Sequence, residues 1–144
     1  MPMGDDGDAD GGPTGTGGTT ALESLDAATL ESLVFDLHEA EGDEVEWAAP
    51  NAEGGIVLVA RTSRLLRGPR TTVVAVTTAG ASVTPGSLDR LNYAREMNGA
   101  ERAALVHPGD VPEKTHEAAS GTKVTVVDGD ALSARLASAD LSLP

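Results

Sequence analysis

Two apolar segments on either side of an arginine-containing loop constrain the fold of this chain more than any other part of its sequence. Residues 56–60 and 71–76 are aliphatic or β-branched, and neither segment contains an acid, a lysine or a histidine. Apolar runs of this length, bounded by turn residues, are typical of strands that are buried on both faces. We therefore expect two central strands in a sheet that is covered on both sides.

Charge and cysteine content indicate the compartment. The 144 residues include 23 acids and 10 lysines and arginines, which gives a formal net charge of −13. Such a composition resembles that of haloarchaeal proteins, whose acidic surfaces remain soluble where salt screens charge repulsion. The alternative is a mesophilic protein that repels nucleic acid. The chain has no cysteine and no run of 18 apolar residues, and residues 1–12 lack the basic and apolar regions of a signal peptide, so we expect a cytoplasmic protein without a signal peptide or a membrane span.

Periodicity and turn signals predict one ordered domain between two tails. Residues 1–20 are predicted to be a disordered acidic and glycine-rich tail, residues 21–140 the domain, and residues 141–144 a short tail. The predicted elements are a helix at 22–41 with Thr20 in its cap, strands at 44–49, 56–60 and 71–77, a helix starting at Thr84-Pro85, a strand at 102–106, a helix from Asp110 to about 120, a strand at 123–127 and a helix at 130–138. The order α-β-β-β-α-β-α-β-α predicts an α/β (α+β) fold, in which helices flank a mixed central sheet of about five strands.

Three sequence marks within this order resemble the catalytic domain of Mrr-type restriction endonucleases. They are GGI at 54–56, VTPGSLDRL at 83–91 and VVDGDAL at 126–132, and the resemblance covers residues 22–138. The resemblance implies a restriction-endonuclease-like core and metal-dependent cleavage of DNA. In that family a helix glutamate, an aspartate on the second strand and a Glu/Gln-x-Lys pair on the third form the site. Mg²⁺ prefers such oxygen ligands, and the metal lowers the pKa of the attacking water.

The family's site residues are mostly absent from this chain. The helix glutamate corresponds to Glu31, but the aspartate position is Val57, and the Glu/Gln and Lys positions are Val74 and Val76. Removing one partner from a buried charged cluster is costly, whereas replacing the strand residues together leaves an apolar sheet. The resemblance therefore implies a degenerate, catalytically inactive domain with no metal cofactor, which acts as a DNA-associated binding or regulatory module.

Two alternatives remain open. The chain is an active Mg²⁺-dependent endonuclease if Glu31 and displaced acids such as Glu53 rebuild the site. It is a protein-interaction subunit if the valine-faced former site docks a partner protein or a second copy in a homodimer.

The arginine loop is the candidate contact for double-stranded DNA. Arg61, Arg64, Arg67 and Arg70 would lie beside the former cleft and contact phosphates without reading sequence. The competing interpretation is a solvated hairpin loop that offsets the acidic surface. His38, His107 and His116 match no metal-ligand spacing, so the sequence predicts no metal site at them.

Overall fold

The computed structural model describes residues 21–50, 52–63 and 69–143, which form a mixed five-stranded sheet with helices on both faces. Strands β1 to β3 are antiparallel neighbours, β3, β4 and β5 run parallel, and the sheet order is β1-β2-β3-β4-β5. The elements are α1 (Ala27–Ala40), β1 (Glu44–Trp47), a 3-10 turn (Glu53–Gly55), β2 (Ile56–Thr62), β3 (Arg70–Val76), α2 (Pro85–Met97), β4 (Arg102–Val106), α3 (Glu113–Ala119), β5 (Val124–Val127) and α4 (Gly129–Ser138). The predicted fold class and element order are confirmed.

Each face of the sheet carries its own core. The first core cluster joins α1 and α4 to one face and includes Leu33 and Leu58; the second core cluster joins α2 to the other face and includes Leu91 and Val73. Because β2 and β3 contribute to both clusters, they must be apolar on both faces, as their sequence predicts. None of the helices within the described ranges is long and apolar enough to cross a membrane.

The first helix starts later than predicted. Residues 21–23 are helical, but the helix is interrupted after them, and α1 begins only at Ala27. Asp26 caps α1, since its side chain accepts a hydrogen bond from the Thr29 backbone N–H at 2.8 Å. The same hydrogen bond lowers the pKa of the Asp26 carboxyl. Thr20, the predicted cap residue, and the predicted tail at 1–20 lie outside the described residues.

The predicted cap of the third helix is wrong. Asp110 does not cap α3, which begins at Glu113 with Pro112 at the N-cap position. A proline disfavours helical backbone in the residue before it, so Val111 cannot continue a helix from Asp110 into Pro112. The helix α2, by contrast, starts at Pro85 with Thr84 as its cap, as predicted.

Other boundaries differ by one or two residues. Strand β1 ends at Trp47 and β5 begins at Val124, whereas β2 extends to Thr62 because it pairs with Arg70 of β3. Helix α4 begins at Gly129, because the Asp128 side chain accepts a hydrogen bond from the Ala131 N–H at 2.9 Å.

Candidate functional site

The three valines that the resemblance assigns to the family's strand positions pack against the apolar core. Val74 is completely buried in the first core cluster, and Val57 and Val76 are partly buried against the same cluster. Residues two apart on a strand share a face, so Val74 and Val76 both lie on the face of the sheet that α1 covers. These three positions therefore contribute hydrocarbon surface, with no oxygen or nitrogen side-chain atom for a metal or a phosphate.

A β-bulge explains why Val57 lies on this face. Ile56 pairs with Ala75, but Leu58 pairs with Val74, so the register shifts between Ile56 and Leu58. Val57 is the extra residue of the bulge, and the bulge redirects its side chain. As a result the adjacent residues Val57 and Leu58 both contact the first core cluster. Strand alternation in the sequence gives no signal for this irregularity.

The two acids considered as ligands belong to opposite sides of the sheet. Glu31 is partly exposed on α1, whereas Glu53 is exposed at the start of the 3-10 turn before β2. That turn packs on α2: a Cβ on Gly54 would lie 2.8 Å from the Ala94 Cβ, and Gly54 has a φ of +71°. Glycine is required there by both the contact and the backbone conformation. The turn that carries Glu53 is thus fixed against the helix that covers the face opposite α1.

His107 is a buried polar residue next to the valine positions. It follows β4, is 4% exposed, and its Nδ1 lies 2.8 Å from the hydroxyl of Thr77, the residue directly after Val76. Burial lowers the pKa of His107, and the negative charges of Glu23 and Asp110 oppose this effect only in part. A neutral imidazole is therefore favoured at this position, and it carries no charge to attract a phosphate. The sequence signal that could identify His107 is its position directly after a buried strand, because binding sites often lie at the carboxyl ends of parallel strands.

One other histidine lies in a cluster whose geometry could hold a cation. His38, Glu41 and Asp43 place one ligand atom each within 4.8 Å of one another, and they are the only such group among the described residues. All three already have protein partners. His38 Nδ1 lies 2.9 Å from Asp43, whose other carboxylate oxygen accepts a hydrogen bond from the Thr62 hydroxyl at 2.7 Å. Arg135 donates two hydrogen bonds to Glu41, at 2.6 and 3.0 Å. The cluster links α1, β1, β2 and α4, and none of its residues is a family site position.

Arg61 and Arg70, which flank the β2–β3 loop, lie far from Val57 and Val76. Arg61 is the last residue but one of β2 and Arg70 begins β3, whereas Val57 is the second residue of β2 and Val76 ends β3. An extended strand rises about 3.3 Å per residue, so Arg70 and Val76 are roughly 20 Å apart. The expected position beside the former cleft is therefore wrong for Arg61 and Arg70. Arg64 and Arg67 lie outside the described residues.

Two further basic residues join Arg61 and Arg70 at this end of the sheet. Arg102 begins β4 and pairs with Thr72 of β3, and Lys123 directly precedes β5. We call Arg61, Arg70, Arg102 and Lys123 the basic sheet end. Two acids lie close to it. Glu46 lies 4.0 Å from Arg61, and Glu101 has its pKa lowered chiefly by a hydrogen bond from the Thr71 backbone N–H and to a lesser degree by Arg70 and Lys123. Sequence reasoning missed Arg102 and Lys123 because only parallel pairing brings them beside the loop.

Comparison with known structures supports the same fold. The DNA modification-dependent restriction endonuclease AspBHI is 12% identical and matches with a TM-score of 0.69 over 91% of this chain and 37% of its own. The MspJI restriction endonuclease, solved in complex with a 27-mer oligonucleotide, is 15% identical and matches with a TM-score of 0.57 over 85% of this chain and 31% of its own. The chain thus spans about a third of the length of these enzymes. At sequence identities of 12% and 15%, the structural similarity establishes the fold alone.

Sequence comparison identifies the family. No curated protein matches the chain significantly. The sequence model of the Mrr catalytic domain, described as a restriction endonuclease, matches residues 22–136, which is most of the chain. The chain therefore belongs to the Mrr catalytic-domain family of restriction endonucleases.

Proposed function

We propose that this chain is a catalytically inactive restriction-endonuclease-like domain that acts as a DNA-associated binding or regulatory module. The observation that carries the proposal is the packing of Val57, Val74 and Val76 against the first core cluster. These are the positions at which the family resemblance places an aspartate, a Glu or Gln, and a lysine.

The chemistry of phosphodiester cleavage supports inactivity. Mg²⁺ takes oxygen ligands, and it must be held beside the phosphate to lower the pKa of the attacking water. A valine offers neither a ligand nor a charge, and Glu31 alone supplies one carboxylate. Val74 has no exposed surface, so an ion could approach this position only after the core had opened. The proposal accordingly includes no metal cofactor.

DNA association is proposed from the family and from the basic sheet end. MspJI was solved with an oligonucleotide, and sequence-independent DNA binding depends mainly on lysine and arginine contacts to phosphates. The acidic net charge of this chain makes a local group of four basic residues the favoured surface for DNA. Arg61, Arg70, Arg102 and Lys123 would carry these contacts, together with Arg64 and Arg67 of the loop.

A paired cleavage and binding experiment tests this function. Plasmid DNA incubated with the protein and Mg²⁺ or Mn²⁺ is expected to remain uncut. Duplex DNA is expected to bind, and the variant Arg61→Ala/Arg70→Ala should bind at least several-fold more weakly. Loss of two phosphate contacts should also reduce the slope of log affinity against log salt by about 1.8.

The controls separate the alternatives. Arg90→Ala/Lys114→Ala removes the same charge from exposed positions of α2 and α3, so it should leave DNA binding nearly unchanged. Equal weakening by both double variants would refute the basic sheet end as the contact surface. Cleavage that is lost in Glu31→Gln would establish the active endonuclease instead. Absence of DNA binding at every salt concentration would favour a protein-interaction subunit.

A further inference from the structure

Strand β1 has an open outer edge. It is the terminal strand of the sheet and pairs only with β2 among the described residues. The Ala48 backbone N–H donates to the Val57 carbonyl at 2.9 Å, and in an antiparallel ladder alternate residues bond to the same neighbour. The backbone groups of Val45 and Trp47 therefore face away from β2, toward the open edge. Such an edge is a template for another extended chain.

The two faces of β1 have different chemistry. Val45 and Trp47 lie opposite Ala60 and Leu58, on the face covered by α1. Glu44 and Glu46 alternate with them and are exposed on the other face. The Arg61 guanidinium lies 4.0 Å from a Glu46 carboxylate oxygen, but the Glu46 side chain is 70% exposed, so this pair neutralises the edge only weakly.

The apolar face of β1 ends in a half-exposed aromatic pair. The rings of Phe35 and Trp47 stack with centroids 4.6 Å apart, and Trp47 is 51% exposed. These are two of only three aromatic residues in the chain. Phe35 packs against the first core cluster, so it supports the Trp47 ring from the core side and leaves part of it available to a ligand.

Charge excludes two candidate occupants of this edge. A second copy that added its own β1 in antiparallel register would place glutamates opposite glutamates, which is unfavourable on a sheet. The chain's own residues 1–20 contain four aspartates and no lysine or arginine, so as an added strand they would bring like charge to Glu44 and Glu46. The occupant must instead carry positive charge on the side that faces the glutamates.

We propose that the β1 edge binds an extended segment of a partner protein in which basic and apolar residues alternate. The segment adds a strand to the sheet by hydrogen bonding to Val45 and Trp47, as in other peptide complexes formed by strand addition. Its lysines or arginines lie beside Glu44 and Glu46, and its apolar residues lie beside the Phe35–Trp47 pair. This surface is distinct from the proposed DNA contacts, because it uses the backbone and the glutamates of β1, but it adjoins the basic sheet end at Arg61, which pairs with Glu44 and lies 4.0 Å from Glu46.

The capped peptide Lys-Val-Lys-Val-Lys-Val-Lys is the probe for this proposal. Trp47 is the only tryptophan, so peptide binding should change the intrinsic fluorescence of the protein and slow amide exchange at Val45 and Trp47. Glu44→Gln/Glu46→Gln should weaken binding about fivefold or more, because it removes two exposed ion pairs. The same peptide with N-methylated valines keeps its charge but cannot donate the ladder hydrogen bonds, so its binding should be lost.

Matched controls distinguish strand addition from nonspecific electrostatic attraction between the basic peptide and the acidic protein. Glu113→Gln/Glu117→Gln removes the same charge from exposed positions of α3 and should leave peptide affinity unchanged. Equal weakening by both double variants, or equal binding of the N-methylated peptide, would overturn the proposal. The peptide Glu-Val-Glu-Val-Glu-Val-Glu should not bind. If the protein itself dimerises and the dimer protects Val45 and Trp47 from exchange, the occupant is a second copy and the proposal fails.

Discussion

At the scale of single residues, the buried His107 makes stability depend on pH. Burial lowers its pKa in the folded protein below the ordinary value of 6.5. Between these two pKa values the unfolded chain binds more protons than the folded chain. The stabilising contribution is therefore complete above about pH 6.5 and is lost as the pH falls toward the folded pKa. Urea denaturation at a series of pH values should show this loss, and His107→Gln should remove it.

The control for this prediction is His116→Gln. The His116 Nε2 lies 3.2 Å from Asp128, and the side chain is 39% exposed, so its removal leaves the environment of His107 intact. The difference in unfolding free energy between wild type and His116→Gln should not show the pH dependence that we attribute to His107. An unchanged pH profile in His107→Gln would contradict the assignment.

Some residues of the candidate site could be predicted from the sequence, and others could not. The burial of Val57, Val74 and Val76 in a central sheet could be predicted, because local patterns mark their strands: GGI opens β2, and β3 is an apolar run. The neighbouring pair of Thr77 and His107 could not be identified, because it forms only when β3 and β4 align in parallel. A contact between residues 30 positions apart depends on strand register, which periodicity does not specify.

At the scale of elements, a long-range ion pair joins the first and last helices. Arg135 of α4 donates two parallel hydrogen bonds to Glu41, which follows α1. A lysine keeps the charge but cannot form the two-point contact of a guanidinium. Arg135→Lys should therefore lower the free energy of unfolding by about 0.5–1 kcal/mol. Chemical denaturation measures this change.

Arg102→Lys serves as the comparison for Arg135→Lys. Arg102 makes a single hydrogen bond of 3.3 Å to the Thr125 hydroxyl, so its substitution should cost less stability. If both substitutions destabilise equally, the two-point contact is not the cause.

Helix boundaries show the difference between local and long-range signals. Thr84 and Pro85 specify the start of α2 because a cap and a first-turn proline act within one turn. The predicted start of α3 at Asp110 is wrong, although the signal against it is also local, because Pro112 disfavours helical backbone at Val111. The link between Glu41 and Arg135 spans 94 positions, and no local pattern could have predicted it.

At the scale of the whole molecule, topology decides which charges meet. The predicted order of elements was sufficient for the fold class, but not for the location of the arginines. A loop between two antiparallel strands lies at one end of both, so Arg61 and Arg70 lie near the ends of those strands that are opposite to Val57 and Val76. The basic sheet end also needs Arg102 and Lys123, which parallel pairing brings to the same level. The direction in which the strands run, and not the overall composition, therefore brings these four basic residues to one end of the sheet in an otherwise acidic chain.

The net charge of −13 predicts that salt stabilises the folded protein. Like charges repel more strongly in the compact state than in the unfolded chain, and KCl shortens the range of this repulsion from about 10 Å at 0.1 M to about 3 Å at 1 M. The melting temperature should therefore rise with KCl, most steeply below about 0.5 M, where screening changes fastest. Potassium sulfate supplies the comparison, because preferential exclusion of sulfate raises stability without saturating over the same range. A melting temperature that is constant or falls with added KCl would contradict charge repulsion as a major term in the stability of this acidic domain.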